Sequence, residues 1–289
     1  ILLVYSLVNR PEIADLSCDR SMVKELCDFG YPVYLIDWGD PRTIDSQIKL
    51  ETYIHDYIGC AVEYLARIFC RKSVHMVGLC QGGTFSVCFA SLYPEKVLSL
   101  TTTVTPIDFH SESDLLSNLV RNFDLDLIDE VPGVVDGDIL NALFLFLKPY
   151  ELMQQKYLTL LDNCENQVFV ENFFRMEKWI FDSPPINTKV LKQFVKLFYQ
   201  ENSLVAENLF LDGKLVQPKN IVAPVLNIFA KDDHLVPRDS SRALSRLLSH
   251  DNYTEVELNC GHVGVYVGKS SGTSSGEVIG EWLANQNIS

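Results

Sequence analysis

Positive charge is scarce in this chain: 24 Lys and Arg stand against 38 Asp and Glu, a formal net charge of −14 at pH 7. Nucleic acid is held chiefly through Lys and Arg on its phosphates, so this balance argues against it as a partner. Long apolar runs are missing as well. Each run is strand-length and broken by charges, which excludes a transmembrane helix. The eight cysteines include no Cys-x-x-Cys pair. No glycine-rich stretch has the form of a phosphate-cradling loop, and His, Cys and carboxylates nowhere fall at metal-ligand spacing. Internal repeats are absent too. What is left is a 289-residue chain, 47% hydrophobic, long enough to bury one large core. No signal peptide is recognisable, so a soluble cytoplasmic enzyme with reduced thiols is expected.

The most informative stretch present is Gly78-Leu79-Cys80-Gln81-Gly82. It has the Gly-x-nucleophile-x-Gly shape of the strand-to-helix elbow in α/β-hydrolases, with Cys where most carry Ser. Ser73–Val77 before it reads as a short buried strand. Gly83–Ala90 after it reads as a small-residue helix packed close to a sheet. The elbow puts the nucleophile on a tight turn at a helix N-terminus, where partial positive charge and free N–H groups favour a thiolate or an oxyanion. The alternative is a buried structural Cys beside a packing glycine. A Cys acyl-enzyme is a thioester, which stays activated for a second acceptor, so Cys leans toward acyl transfer rather than ester hydrolysis.

Nucleophile, acid and His follow in the chain order this fold requires. Ala223–Ala230 is an apolar run that ends in Lys231-Asp232-Asp233-His234, a strand delivering carboxylates to its C-terminal end. Asp232 and Asp233 compete for the role of acid. Tyr253–Leu258 alternates like another strand and leads to Asn259-Cys260-Gly261-His262-Val263-Gly264. His262 is the expected general base. The oxyanion is expected on the backbone N–H of Gln81 and on one from the loop after the first strand, at Val8 or its neighbour Asn9. Cys260 is a candidate neighbour of the site, and Cys88 is expected in the core.

Residues 1–105 read as alternating strands and helices, with helices near Asp19–Phe29 and Thr52–Phe69, and Val97–Thr105 closes that half. Residues 220–289 supply two more strands and flanking helices. The expected fold class is α/β: an α/β-hydrolase fold, with a mostly parallel sheet. Between its two parts, residues 106–219 read almost entirely helical, with Leu140–Leu147 and Lys189–Tyr199 clearest. This is expected to be a mobile cap that shields a thioester intermediate from water. Gly272-Thr273-Ser274-Ser275-Gly276 also fits Gly-x-Ser-x-Gly, but no apolar strand precedes it and its composition is that of a flexible loop. His55, His75, His110 and His250 read as structural or solvent-facing.

Taken together, these stretches resemble the catalytic subunit of a polyhydroxyalkanoate synthase, most similar to the class III type. The resemblance rests on Leu7–Pro11, Tyr34–Gly39, the Cys80 elbow with Gln81-Gly82-Gly83, Arg175–Pro184, Asp233–Pro237 and Gly261-His262, in order along nearly the whole chain. It implies polymerisation of 3-hydroxyacyl-CoA thioesters, short-chain ones such as 3-hydroxybutyryl-CoA, into a polyester at a cytoplasmic granule surface. It also implies Asp233 as the acid, a homodimer or a complex with a non-catalytic partner subunit, and no cofactor besides the CoA substrate. Trp179 and His234 become candidate substrate-binding residues. The chain opens inside an apolar stretch, Ile1–Val8, without an initiator Met, so the family's N-terminal region is expected to lie outside it. CoA is a polyanion, so a local basic patch must offset the net charge. Arg10, Arg42, Arg175, Lys178, Lys231 and Arg238 flank the motifs and are candidates. A Cys-Asp-His hydrolase of small esters or lactones, or a non-enzymatic granule scaffold on the same fold, are the other readings.

Overall fold

The computed structural model describes residues 1–249, 251–268 and 272–286. Six strands form its central sheet: Leu2–Val4 (β1), Tyr34–Leu35 (β2), Val74–Leu79 (β3), Val97–Thr103 (β4), Val225–Ala230 (β5) and Tyr253–Leu258 (β6). They pair in the order β6-β5-β4-β3-β1-β2, and every pairing is parallel. The sheet reads as this kind of sheet because its central strands are nearly continuous runs of Val, Leu, Ile and Thr, buried on both faces. All six residues of β5 are buried. The one amide among them, Asn227, accepts from Thr102 Oγ1 at 2.9 Å and from Ser241 Oγ at 3.0 Å. It also donates to the Ser241 carbonyl and the Tyr253 hydroxyl, so its burial leaves no polar atom unpaired. The edge strand β6 faces outward with Glu255 and Glu257, which meet Arg242 and Arg238; charges of this kind blunt an exposed edge.

Helices cover both faces. Met22–Asp28 (α1) starts at Ser21, whose hydroxyl accepts from the Lys24 N–H at 2.8 Å. Ile58–Ile68 (α2) continues from a wide π turn, Thr52–Tyr57. Gln81–Leu92 (α3) follows the elbow, and 11 of its 12 residues are buried. The C-terminal helix, Ser275–Asn285, lies against α1. It also settles the second Gly-x-Ser-x-Gly match. Ser274 caps that helix, its hydroxyl accepting from Glu277 N–H while Glu277 accepts from the Ser274 N–H, so the site is a helix start rather than a loose loop. Residues 269–271 of that stretch, and His250, lie outside the described residues.

Some boundaries differ from the sequence reading. The first strand ends at Val4 rather than running to Val8, because the chain turns away: Val8 N–H and carbonyl both bond the Ser6 hydroxyl, and Asn9 adopts φ 59°. The segment between β4 and β5 is mostly but not wholly helical. It includes Leu115–Val120 (α4), Gly137–Leu147 (α5), Lys156–Asp162 (α6), Gln167–Ile180 (α7) and Thr188–Phe194 (α8), the last running on as a π turn to Gln200. Two short antiparallel pairs interrupt it, Val134–Val135 with Ile186–Asn187 and Phe210–Leu211 with Lys214–Leu215. Its two ends differ in packing. From α8 onward, Phe194, Phe198, Leu204, Leu209 and Ile221 belong to the same core cluster as α3 and β4. Between α4 and α7, by contrast, Ile139, Phe146, Leu161 and Val168 are each at least 60% exposed.

Candidate active site

Cys80 sits where β3 passes into α3. Its backbone is held at φ 53°, ψ −124°, a region non-glycine residues avoid, at a cost on the order of 1–3 kcal/mol. The turn is locked by hydrogen bonds on both sides: Cys80 N–H donates to the Thr103 carbonyl and Gly83 N–H to the Cys80 carbonyl, each at 2.9 Å. Two flanking glycines allow it. A Cβ at Gly82 would be driven into the carbonyl oxygens of Val4 and Tyr5, and one at Gly78 into the backbone of Gly83. Strand, elbow and helix therefore touch backbone to backbone, and the thiol is presented at the N-terminus of a buried helix.

His262 reaches Cys80 from the loop after β6. It is 6% exposed, and its Nδ1 lies 2.7 Å from Asp233 Oδ2. The other Asp233 oxygen, Oδ1, accepts from the N–H groups of Leu235 and Val236 at 2.8 and 2.9 Å. The carboxylate is thus fully used, and its side chain is 0% exposed. Burial by itself pulls the His262 imidazole down, but the Asp233 charge and then Cys80, with hydrogen bonds to both, carry it up to about 10. These surroundings favour the protonated imidazole. Cys80, His262 and Asp233 are therefore brought into one chain of contacts. Asp232 is not: its side chain is exposed, and its N–H is spent on the Cys260 carbonyl at 3.0 Å.

The thiol opens into a cavity of about 180 Å³, lined by residues of all three chain segments. Gln81, Val8, Trp179 and His234 all line it. Gln81 does more than offer its N–H; its side chain accepts the Leu7 N–H at 2.9 Å. Val8 needs a correction as an oxyanion donor. Its N–H already donates to Ser6 Oγ at 3.0 Å, so an oxyanion there has to displace that hydroxyl. Trp179 is half-buried and donates Nε1–H to the Arg10 carbonyl at 2.7 Å, which ties α7 to the loop after β1. His234 is shifted downward by burial, so it is neutral at ordinary pH. Phe144, Leu145 and Leu152 supply an apolar wall from the inserted segment.

Other expected residues lie elsewhere. Cys260 is half-buried beside the His262 loop but does not line the cavity, and Cys88 is buried in the core. All eight cysteines are free. His55, His75 and His110 bond to Tyr93, Ser99 and the Tyr199 carbonyl, and none of them lines the cavity. Of the basic candidates, Arg10, Arg175 and Lys178 gather around a neighbouring cavity beside Trp179, where Arg10 is already paired with Asp40 and Asp182.

Among the cavity residues that escaped the sequence reading are Tyr5, Asp114, Tyr199 and Tyr266. Burial, then the charge of Cys80, raises both Tyr5 and Tyr266 well above the usual phenol value, so both stay protonated beside the thiol. The Tyr266 ring stands edge-on to His262 at 6.1 Å. Asp114 reads in sequence only as a helix cap, and Tyr199 only as a helix residue. Nothing local marks either.

Comparison with known proteins agrees with this architecture. A family model described as the alpha/beta hydrolase fold matches residues 10–269. The chain is 46% identical to the poly(3-hydroxyalkanoate) polymerase subunit PhaC of Allochromatium vinosum, over 98% of this chain and 80% of that one. It is 40% identical to the subunit of the same name from Synechocystis sp., over 99% and 78% of the two chains. Among solved structures, it is similar to the monoacylglycerol lipase of Paleococcus ferrophilus, with a TM-score of 0.62 at 18% identity, covering 99% of this chain and 94% of the lipase. At that identity the lipase speaks for the fold alone. With its parallel sheet, its elbow at Cys80 and its near full-length match to these subunits, the chain belongs to the α/β-hydrolase family and, within it, to the poly(3-hydroxyalkanoate) polymerase PhaC subunits.

Proposed function

We propose that this protein polymerises short-chain 3-hydroxyacyl-CoA, such as 3-hydroxybutyryl-CoA, through an acyl thioester on Cys80. The observation that carries the reading is the Cys80–His262–Asp233 chain opening into a mainly apolar cavity. His262 takes the Cys80 proton, and the thiolate attacks the acyl-CoA carbonyl. The tetrahedral oxyanion is received by the Gln81 backbone N–H and by the loop after β1, where Val8 lies. As the intermediate collapses, the C–S bond to CoA breaks, and the proton on His262 passes to the departing CoA sulfur. In the second half, the 3-hydroxyl of another acyl unit gives its proton to His262 and attacks the Cys80 thioester. An ester bond forms, and the proton returns to Cys80 as it leaves. Asp233 keeps the His262 ring oriented and stabilises its charged form. CoA enters and leaves as part of the substrate, and the reaction calls for no resident cofactor.

The experiment is direct. Purified protein is mixed with 3-hydroxybutyryl-CoA, and free thiol and turbidity are followed together. Thiol release with growing turbidity supports the reading. Thiol release with free 3-hydroxybutyrate and no polymer replaces it with a small-ester hydrolase.

The exposed apolar residues between α4 and α7 support three further parts of the reading: a cap over the site spanning residues 106–219, a partner, and a granule surface. Phe146, Leu161 and Val168 are 64–68% exposed, apolar area that a second copy, a non-catalytic partner subunit or polyester would cover. Faster hydrogen exchange in 111–138 than in β3 supports a mobile cap. A lag in thiol release, shortened by the partner subunit, supports assembly; a strictly monomeric chain, fully active without lag, removes it.

A further inference from the structure

Among the polar groups lining the cavity that the mechanism above does not use, Asp114 and Tyr199 stand out. Asp114 is 2% exposed and lines the cavity. One of its oxygens caps α4, accepting the Ser117 N–H at 2.8 Å. A cap needs only a short side-chain acceptor, and Ser would serve as well. A buried carboxylate is a costly way to make one. Among the described residues Asp114 forms no ion pair, although Arg121 acts on it favourably from a distance. Tyr199 lines the same cavity from the π turn after α8. Its ring is held edge-on by Phe109 at 4.9 Å and Phe194 at 5.9 Å. Its hydroxyl makes no hydrogen bond among the described residues.

The two groups are near each other and near the chemistry. The charge of Asp114 is felt at Tyr199, that of Cys80 at Tyr199, and that of Asp233 at Asp114. Burial lifts the Asp114 carboxyl to about 6, so it is ionised at neutral pH and is a strong acceptor. The Tyr199 phenol is raised by the same cause, burial first, and stays a donor. One acceptor and one donor lining the same mainly apolar cavity match a single aliphatic hydroxyl, which donates once and accepts once.

We propose that Asp114 and Tyr199 form the subsite that binds the 3-hydroxyl of the acyl unit, and so select hydroxyacyl over unsubstituted acyl thioesters. This rests on the polymerase reading of the site. An acyl chain lacking the hydroxyl leaves the phenol unpaired and the buried carboxylate with its backbone donors alone, which is how a site built around hydrogen bonds rejects the smaller analogue.

The test compares CoA release in the acylation of Cys80 from two probes, 3-hydroxybutyryl-CoA and butyryl-CoA. Asp114→Ser keeps an α4 cap but withdraws the carboxylate, and Tyr199→Phe removes only the hydroxyl and leaves the cap untouched. Asp114→Ser is expected to lower the ratio of kcat/KM between the two donors about 10- to 100-fold, the value of a hydrogen bond to a charged group, and Tyr199→Phe about 2- to 10-fold, that of a neutral one. The loss falls on the hydroxylated donor. Equal slowing of both donors, or an unchanged ratio in an enzyme that makes polymer, overturns the subsite alone. A wild-type protein that releases CoA from neither donor overturns the polymerase reading and the subsite with it. If the Asp114 variant does not fold, Tyr199→Phe decides the matter by itself.

Discussion

Gln81 Oε1 accepts the Leu7 N–H at 2.9 Å, a buried bond between residues 74 positions apart. The first residue of α3 thereby sets the position of the loop that follows β1. The far side of that loop is pinned as well, since Asn9 Nδ2 donates to Ser183 Oγ at 2.9 Å and the Arg10 carbonyl accepts from Trp179. The thiol and the loop facing it are therefore one mechanical unit. Gln81→Ala should cost about 1–3 kcal/mol, because it strands a buried N–H, and should slow CoA release at least several-fold with Cys80 intact. Urea unfolding and single-turnover thiol release measure both. Unchanged rates at full stability loss would mean that the loop is held by the Asn9 and Arg10 contacts instead.

Asp233 and Asp232 make a controlled pair, adjacent in sequence and opposite in environment. Asp233 is enclosed and bonded through both oxygens, while Asp232 is exposed. Asp233→Asn should lower turnover by up to roughly 10⁴-fold, by analogy with triads whose orienting carboxylate is removed. Asp232→Asn should change it only several-fold. Steady-state thiol release on the two purified variants tells them apart, and a larger loss in the Asp232 variant would reassign the acid.

The backbone at Cys80 makes a prediction about stability that is independent of chemistry. With φ at 53°, any β-carbon there is strained, and glycine is not. Cys80→Gly should be at least as stable as Cys80→Ala, by about 1 kcal/mol, while both variants form no acyl adduct. Denaturant midpoints and intact-mass spectra after a substrate pulse provide the readouts. An adduct on any other cysteine would remove Cys80 as the acyl carrier.

The parts of the site that were legible in the sequence are those whose geometry is local. Gly78, Cys80 and Gly82 announce the elbow because backbone contact demands glycine on both sides. Asp233 and His262 announce themselves by following apolar strands, at the sheet edge where such sites form. Val225–Ala230 and Tyr253–Leu258 were readable for the same reason, since continuous burial and alternation are visible in composition. The unreadable parts are set by contacts distant in sequence. The loop after β1 is placed by the Leu7 N–H donating to Gln81, 74 positions along the chain. Asp114 and Tyr199 line one cavity only because the inserted segment folds back over the sheet. The π turns at Thr52–Tyr57 and Val195–Gln200 leave no mark in a helical pattern that tolerates them.

His75 predicts how stability varies with acidity. It sits on β3 with Nδ1 2.8 Å from Ser99 Oγ and the Tyr31 ring edge-on at 5.8 Å, and burial lowers its pKa to about 4. The folded state therefore refuses a proton that the unfolded chain accepts near pH 6.5. Stability from this group is present above that pH and is lost as pH falls from about 6.5 toward 4. Asp114 tilts the other way: burial raises it to about 6, so the folded state holds its proton more tightly than the unfolded chain does. The informative quantity is the difference between wild type and His75→Gln. The variant should lose less stability between pH 6.5 and 4, measured by urea unfolding across that range, and parallel curves would show that His75 is not protected from protons.

The reaction chamber is stiff on one side and compliant on the other. The thiol stands on a helix buried almost along its whole length, where a single added methylene would be felt throughout the core. The opposite wall is Phe144, Leu145 and Leu152, which are half-buried and belong to neither core cluster. Room for a longer or bulkier monomer can therefore be carved from that wall at little cost to the fold. Acyl size and thermal endurance become separately adjustable traits of one enzyme.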